Sequence, residues 1–354
     1  MQAFRQGLQP AEAHRVRPPR QPRRVVHGVL LLDKPVGWTS NDALQKAKRL
    51  LRAEKAGHTG TLDPLASGLL PLCFGAATKF SQVSLDADKG YRATLRLGQT
   101  TASGDAETPV LRERPLGFDR AALDAACQRL RGDIEQLPPM HSALKKDGRA
   151  LYEYARAGIE VERSPRRVTI HRLDIVDWQG ETLVIDVECS KGTYIRTLAA
   201  DLGEALGCGA HLAALRRTAS GPLRVEHALT LEALAALDEA ARDALLLPPD
   251  ALVADWPALQ LPADEAARFL TGLRRRVNHA DAPAVRVYGP APHEAAAVAP
   301  HDTESALAFL GSAHVTAGEL IADRLLSPPE VQARPTTLLT YPRTSALSGR
   351  AGPP

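Results

Sequence analysis

The chain contains little cysteine, which limits the kinds of protein it can be. Its 354 residues include four cysteines, Cys73, Cys127, Cys189 and Cys208, and none of them belongs to a Cys-x-x-Cys pair. Cys208 and His211 have the spacing of half a zinc site, but the sequence supplies no second half. We therefore predict free thiols in a reducing cytoplasm and no bound metal, rather than a disulfide framework or a zinc domain.

Long apolar runs are missing as well. No stretch approaches the roughly 18 to 20 apolar residues that a membrane-spanning helix requires, and the N-terminal segment has no apolar core of a secretion signal. An Arg-rich start is also typical of organellar transit peptides, but Pro18, Pro19 and Pro22 disfavour the amphipathic helix that such a peptide forms. We expect a cytoplasmic protein with no membrane partner.

The sequence also lacks the common motifs of cofactor enzymes. It contains no Gly-rich phosphate loop, no dinucleotide fingerprint, no His-Glu-x-x-His zinc motif and no Gly-x-Ser-x-Gly nucleophile elbow. We therefore predict a chemistry that needs no nucleotide, no metal and no organic cofactor.

Charge is distributed unevenly along the chain. The net charge is only +3, yet residues 1–230 contain 34 Lys and Arg against 26 Asp and Glu, whereas residues 231–354 contain 10 against 15. A basic N-terminal two-thirds is compatible with a polyanionic partner such as RNA. Residues 1–25 contain six arginines and one glutamate with no apolar periodicity, which indicates a disordered basic arm.

The remaining sequence divides into one large and one small domain. Residues 26–250 mix strand and helix patterns without a strict βαβ rhythm, which favours the α+β class with a mixed sheet. A cluster of prolines then marks a linker, and residues 251–327 are long enough for a small second domain with that linker. Residues 328–354 are rich in Pro, Ser and Thr, which indicates a flexible tail.

Several elements of the large domain can be placed by their apolar spacing. Residues 28–32 and the alternating run 91–97 predict strands, and residues 123–130 and 194–206 predict helices. Ser40 or Asn41 is expected to cap the helix that follows it, and Thr230 is expected to cap a helix that continues to about Leu247.

The sequence Gly57-His-Thr-Gly-Thr-Leu-Asp-Pro-Leu-Ala-Ser-Gly68 contains the most suggestive acidic residue of the chain. Its three glycines allow a close chain approach, and Pro64 biases Asp63 away from helical geometry. A carboxylate on a rigid open turn is a candidate nucleophile or base. By itself, however, an Asp before Pro more often caps a turn than catalyses a reaction. Asp33, Asp88 and Asp201 are rival acids without a glycine-rich loop.

Four segments together resemble one enzyme family. They are Gly28-Val-Leu-Leu-Leu-Asp-Lys-Pro35, Gly57-His-Thr-Gly-Thr-Leu-Asp-Pro64, Asp88-Lys-Gly-Tyr-Arg92, and Cys189-Ser-Lys-Gly-Thr-Tyr-Ile-Arg196 with its continuation to Arg217. In order and spacing they resemble the bacterial tRNA pseudouridine-55 synthases of the TruB type. The resemblance is close over residues 27–225 and fades in 231–354. It implies the pseudouridine synthase fold, with a mainly antiparallel central sheet flanked by helices and a small β-rich PUA-like domain at the C-terminal end.

The resemblance also implies an activity and the residues that perform it. The protein would act as a monomer and isomerise uridine 55 in the TΨC loop of tRNA, after flipping the base out of its stack. Asp63 would be the nucleophile, attacking either C6 of the base or C1′ of the ribose. Tyr91 would stack on the uracil and serve in proton transfer, and Arg196 would pair with Asp63 and orient it.

Further positions match residues that bind the substrate in that family. His58 would help open the TΨC loop and contact the substrate, Tyr194 and Leu215 would line the uridine pocket, and Lys34 would support the site from a neighbouring motif. By spacing alone, Tyr91, Tyr194 and Leu215 are more simply explained as core residues. Two alternatives remain open, namely a tRNA-folding chaperone whose binding matters more than catalysis, and a synthase of the same fold that acts on another uridine.

Overall fold

The computed structural model describes residues 22–142, 144–292 and 307–332. Most of the predicted arm 1–25 and most of the predicted tail 328–354 therefore lie outside the described residues. The domain limits proposed near residues 250 and 327 stay predictions.

Residues 28–224 contain thirteen described strands, most of which belong to one sheet. The strands are β1 (Gly28–Lys34), β2 (Ala56–His58), β3 (Ala66–Phe74), β4 (Lys89–Leu97), β5 (Gln99–Thr101), β6 (Val110–Glu113), β7 (Gly132–Gln136), β8 (Lys145–Lys146), β9 (Arg149–Ala150), β10 (Arg166–Gln179), β11 (Thr182–Cys189), β12 (Ala210–Ser220) and β13 (Leu223–Arg224).

The main sheet has nine strands in the described part of the chain. Its order is β1-β3-β12-β4-β11-β10-β7, with β2 paired to β3 and β13 paired to β12. Strands β3 and β12 run parallel, and the other neighbouring pairs are antiparallel. This confirms the predicted α+β class with a mixed, mainly antiparallel sheet. Strand β4 lies at the centre, between β12 and β11.

The described helices flank the sheets. They are α1 (Ser40–Leu50), α2 (Ser81–Asp86), α3 (Arg120–Arg129), α4 (Leu151–Arg156), α5 (Ile195–Ala205), α6 (Leu231–Ala236), α7 (Glu239–Ala244), α8 (Ala263–Phe269) and α9 (Pro328–Gln332). None of these helices is long and apolar enough to span a membrane.

The alternating pattern of strand β4 separates the two faces of the main sheet. Ala93, Leu95 and Leu97 are fully buried in a core that also contains residues of α3, α5, β10, β11 and β12. On the opposite face, Arg92 forms an ion pair with Asp186 at 2.8 Å. The apolar face therefore fixes the position of α5, whose first turn carries one of the candidate site residues.

Two predicted helix details are wrong. Helix α1 is capped by Thr39, whose hydroxyl accepts a hydrogen bond from the Asp42 N–H at 3.1 Å, and not by Ser40 or Asn41. The helix predicted from Thr230 to about Leu247 ends at Ala236, and Asp238 then starts α7 by accepting a hydrogen bond from the Ala241 N–H. Asp238 has an extended backbone and caps α7, so it interrupts the apolar helical pattern.

The C-terminal part of the described chain forms a second, smaller sheet. Its strands are β14 (Ala258–Gln260), β15 (Arg275–Arg276), β16 (Ala282–Pro290), β17 (Leu307–Thr316) and β18 (Glu319–Leu325), in the order β14-β16-β17-β18-β15. Strands β14 and β16 run parallel and the other pairs are antiparallel. This agrees with the predicted small β-rich domain of the PUA-like kind.

The two sheets share one hydrophobic cluster. The 3-10 helix Gly75–Phe80 follows β3, and the ring of Phe80 lies 5.2 Å from the ring of Phe309 in β17. The 3-10 helix Pro249–Val253 is buried in the same cluster, so the proline-rich stretch begins with a packed element. Residues 328–332, the start of the predicted tail, form α9, whose Val331 is also buried there.

This shared cluster leads to a stability prediction. Replacing Phe309 by alanine removes a buried ring that contacts Phe80 and Tyr288. We expect the free energy of unfolding to fall by about 3–5 kcal/mol in urea or guanidinium titrations. The control is Leu273→Ala, which truncates an exposed side chain and is expected to change stability by no more than about 0.5 kcal/mol. Equal effects of the two substitutions would contradict a joint core.

Candidate active site

The loop between β2 and β3 carries Asp63, and glycines give it its shape. Gly60 and Gly68 have φ angles of +92° and +98°, in the left-handed region that residues with side chains rarely adopt. A Cβ atom on Gly68 would also lie 2.3 Å from the carbonyl oxygen of Arg217. Gly68 therefore allows the loop to approach β12 closely.

Hydrogen bonds to its backbone hold this loop in place. The Ser40 hydroxyl accepts from the Leu62 N–H at 2.8 Å and lies 3.1 Å from the Leu62 carbonyl, to which it can donate. The Gly37 N–H donates to the carbonyl of Pro64 at 2.8 Å. Because Ser40 makes these contacts, Thr39 rather than Ser40 caps helix α1. The backbone on both sides of Asp63 is thus fixed by the chain segment just before and at the start of α1.

A cavity of about 260 Å³ opens beside Asp63. It is lined by residues 60–63 of the loop, by strands β4 and β12, and by residues 190–196, which lead into α5. Five residues that the sequence singled out line it together, namely Asp63, Tyr91, Tyr194, Arg196 and Leu215. The structure therefore gathers residues that are up to 152 positions apart in the sequence around one cavity.

Arg196 connects Asp63 to a second carboxylate. Its Nη2 lies 3.0 Å from Asp63 Oδ2, and its Nη1 lies 3.4 Å from Asp105 Oδ2. The side chains of Arg196 and Asp105 are 8% and 2% exposed, whereas that of Asp63 is 45% exposed. The guanidinium also donates to the carbonyls of Ser103 and His141 at 3.2 and 2.6 Å. A buried arginine with four contacts at its two terminal nitrogens thus holds an accessible carboxylate in a fixed position.

Asp105 is part of the site, although no pattern in the sequence singles it out. Its carboxylate accepts hydrogen bonds from the Ser103 hydroxyl at 2.5 Å and from the Glu107 N–H at 3.0 Å. It lies in a loop after the short strand β5, with no periodic pattern around it. Only its closeness to Arg196 in three dimensions shows that Asp105 is a partner of that guanidinium.

Two tyrosines form the aromatic part of the cavity. Tyr91 lies in β4, and Tyr194 is the residue immediately before α5, where its N–H donates to the side-chain oxygen of Gln136 at 3.0 Å. Burial raises the pKa of both phenols. Leu215 of β12 is paired in register with Ala93 of β4 and Ala66 of β3. A flat ring entering the cavity would meet aromatic and aliphatic surface close to the Asp63 carboxylate.

Two predicted site residues lie outside the lining of this cavity. Lys34 is buried, and its ammonium donates to the carbonyls of Pro35 and Trp38 at 2.9 and 2.7 Å. Burial lowers the pKa of Lys34 to about 8, although the nearby Asp63 acts in the opposite direction. Lys34 therefore shapes the turn next to the Asp63 loop, as a supporting residue would.

His58 lies in β2, at the start of the Asp63 loop. Its Nδ1 is buried and has no hydrogen-bond partner among the described residues. Burial and the charge of Arg217 lower the pKa of His58. His58 is not among the residues that line the cavity, so its predicted contact with the substrate stays a prediction.

The structure adds two cationic residues that the sequence did not select. The Lys89 ammonium donates to the carbonyls of Ser84, Leu85 and Ala87 at 2.9, 2.8 and 2.5 Å, and burial lowers its pKa to about 8. Arg217 of β12 also lines the cavity and is 1% exposed. Both occur in the segments quoted above, but a cation in a strand is normally placed at the surface.

Potential metal ligands do not cluster in the described residues. No group of three or more His, Cys, Asp or Glu side chains there is arranged to hold a metal ion. The four cysteines are unpaired and buried.

Comparison with known proteins gives the site a family context. Residues 48–195 match the model of the TruB family pseudouridylate synthase N-terminal domain, and residues 196–254 match that of the tRNA pseudouridylate synthase B C-terminal domain. The tRNA pseudouridine synthase B of Cupriavidus pinatubonensis is 60% identical over 293 residues, which cover 80% of this chain and 93% of that protein. The Ralstonia pickettii protein of the same name is 61% identical and covers 79% of this chain and 90% of its own.

Solved structures agree on the fold. An archaeal box H/ACA sRNP Nop10-Cbf5 complex contains a chain that matches with a TM-score of 0.60 and 25% identity, over 86% of each chain. A Cbf5-Nop10-Gar1 complex matches with a TM-score of 0.64 and 23% identity, over 90% of this chain and 93% of that one. The resemblance noted in the sequence is thereby confirmed, and the chain belongs to the TruB family of tRNA pseudouridine synthases.

Proposed function

We propose that this protein converts uridine 55 in the TΨC loop of tRNA to pseudouridine, with Asp63 as the covalent nucleophile. The observation that carries the proposal is the contact between Asp63 and Arg196 at the cavity. An exposed carboxylate is oriented there by a buried guanidinium at 3.0 Å. A nucleophile needs this combination, because it must reach the substrate and still be held in one orientation.

The chemistry requires that the uridine leave its stack and enter the cavity. The N1–C1′ bond breaks, the uracil turns, and a C5–C1′ bond forms. Asp63 adds to the base or to the ribose and leaves again, which divides one difficult step into easier ones. The proton on C5 is removed at the end, and the phenol of Tyr91 is the group we assign to this transfer. The reaction consumes no oxidant and no nucleotide, so the proposal includes no cofactor.

The surroundings of the cavity fit an RNA substrate. Residues 145–167 contain seven Lys and Arg against four Asp and Glu, and they follow Ser142, which lines the cavity. Lys191 also lines the cavity and forms an exposed ion pair with Asp86 at 2.9 Å, which a phosphate group can replace. We further propose that the protein works in the cytoplasm, as a monomer, and that tRNA is its macromolecular partner.

The test is to locate the product in a defined RNA. Incubation of the protein with an unmodified tRNA transcript is expected to give one pseudouridine, at position 55. The matched control transcript has cytidine at position 55 and otherwise the same sequence, and it is expected to remain unmodified. The modified position can be mapped by chemical labelling of pseudouridine followed by primer extension.

Each other outcome would indicate a different function for the protein. Pseudouridine at a different position would mean a synthase of the same fold with another target. No pseudouridine, combined with faster refolding of misfolded tRNA, would favour the chaperone alternative and would overturn the catalytic role of Asp63.

A further inference from the structure

Arg217 is the largest of the fully buried side chains in the described part of the protein. It lies in β12, directly opposite Tyr91 of β4 in the antiparallel register, and both residues line the cavity. Opposed residues of neighbouring strands project to the same face of a sheet. The guanidinium of Arg217 therefore lies under the site, beside the ring of Tyr91.

The partners of this guanidinium are all neutral. Its Nε donates to the carbonyl of Leu69 at 2.7 Å and its Nη2 donates to the carbonyl of Gly60 at 3.2 Å, while Tyr91 lies directly opposite it in the neighbouring strand. No carboxylate of the described residues forms an ion pair with it. Arg196, in contrast, contacts two carboxylates in the same site.

A buried guanidinium without a counter-ion is costly to the fold. An arginine does not lose its proton under ordinary conditions, so the charge remains even where it is poorly solvated. Replacing it by an apolar residue would remove this cost, as is known for other buried charges. The charge is therefore more simply explained by what it does to its polar neighbour in the cavity than by stability.

We propose that Arg217 is a positioning residue for Tyr91, whose phenolic oxygen it holds in the cavity and whose phenolate it stabilises as the base that takes a proton from the substrate. The proposal rests on the proposed function. A guanidinium can only donate, so it presents positive charge and N–H groups, and no acceptor, to the phenolic oxygen beside it. The positive charge of Arg217 favours the phenolate, and it opposes the burial that raises the pKa of Tyr91.

The proton step balances without any further reactant. After the C5–C1′ bond has formed, the Tyr91 phenolate takes the proton from C5, and the electron pair of the C5–H bond returns to the ring and restores its conjugation. Tyr91 is then a neutral phenol and releases its proton to solvent before the next turnover. Arg217 keeps its charge throughout and exchanges no proton.

Other groups face Tyr91 from the elements packed against it. They are Arg217 of β12, Lys89 of β4, Cys189 of β11, Asp63 of the loop and Arg196 of α5. Lys89 directs its ammonium to the carbonyls at the end of α2, and Arg196 contacts carboxylates. Arg217 is the cation in this set that lies directly opposite Tyr91 in the strand register.

The test is a double-mutant cycle under single-turnover conditions with enzyme in excess over tRNA. We expect Tyr91→Phe to slow pseudouridine formation by about 10² to 10⁴-fold and Arg217→Lys by about 10- to 100-fold. If Arg217 acts through Tyr91, the double variant is as slow as Tyr91→Phe alone, within about twofold. If the rate losses of the two single variants multiply in the double variant, the proposal is overturned, because Arg217 would then act on the loop or on the substrate directly.

A second readout does not depend on catalysis. In protein labelled with ¹³C at the phenolic carbon of tyrosine, the Tyr91 signal is identified by its loss in Tyr91→Phe. We expect Arg217→Lys to move the titration of Tyr91 to higher pH, and an unchanged titration would overturn the proposal. A wild-type protein that forms no pseudouridine would refute the proposed function, and the titration would still test Arg217.

The neighbouring arginine supplies the matched control. Arg216 pairs with Asp33 at 2.7 Å, away from the cavity. Arg216→Lys is expected to leave both the single-turnover rate and the Tyr91 titration unchanged. A change equal to that of Arg217→Lys would mean that any loss of arginine in β12 disturbs the site, and this would overturn the specific role of Arg217.

Discussion

Replacing Asp63 by asparagine is expected to reduce pseudouridine formation by a factor on the order of 10⁴ or more while tRNA binding persists. The amide has nearly the shape of the carboxylate, so the loop and its backbone hydrogen bonds should stay as they are. The amide is a far weaker nucleophile and cannot form an ion pair with Arg196. Arg196 still keeps its ion pair with Asp105 at 3.4 Å. Rates can be measured in single turnovers, and affinity by filter binding.

Asp88→Asn is the matched control for this experiment. Asp88 is a rival acid just before β4, and it is 63% exposed and pairs with His171 at 3.2 Å on the other side of the sheet. The substitution is expected to change the rate by less than about twofold, as is usual for exposed positions away from a site. Full activity of Asp63→Asn would refute its role as nucleophile, and loss of tRNA binding together with activity would indicate a disturbed fold instead.

Replacing Arg196 by methionine is expected to affect both stability and catalysis. Methionine keeps the apolar volume but leaves the buried Asp105 carboxylate without its cation. Removing one partner of a buried ion pair costs about 3–5 kcal/mol in free energy of unfolding. The hydrogen bonds from Ser103 and Glu107 remain and offset part of this cost. The reaction should slow strongly, because Asp63 loses the group that orients it.

A second substitution separates the two effects of Arg196→Met. In the double variant Arg196→Met/Asp105→Asn the buried site carries no charge, so urea titrations should show that much of the lost stability returns. Catalysis should not return, since Asp63 still lacks its partner. A loss of less than about 1 kcal/mol in the single variant would contradict a structural ion pair between Arg196 and Asp105.

Much of the fold could be predicted because its signals are local. The alternation from Tyr91 to Leu97 identifies a half-buried strand, and the structure has that strand at the centre of the main sheet. The helix ends were harder to predict, because several residues can compete for one role. Ser40, Thr39 and Asn41 can all cap a helix, and the contact of Ser40 with Leu62, 22 residues away, decides between them.

The site could be predicted only in part. Asp63 is marked by its glycines, and the resemblance supplied Arg196 and the two tyrosines, whose roles stay predictions. Asp105 could not be found, because its contact with Arg196 joins a loop to the first turn of α5, 91 residues away in the sequence. Arg217 could not be distinguished from Arg216, since two adjacent arginines on a strand face opposite ways and the sequence does not state which one is buried.

The loop that carries Asp63 is held mainly through its main chain, and this has a consequence for how such an enzyme can change. Ser40, Gly37 and Arg217 contact backbone atoms of the loop, and none of them belongs to it. An exposed loop side chain such as Thr61 can therefore vary without moving the carboxylate. Substrate preference and reactivity can therefore change separately. Thr61 is a suitable position at which substitutions can alter the RNA sequence that is accepted while the chemistry is preserved.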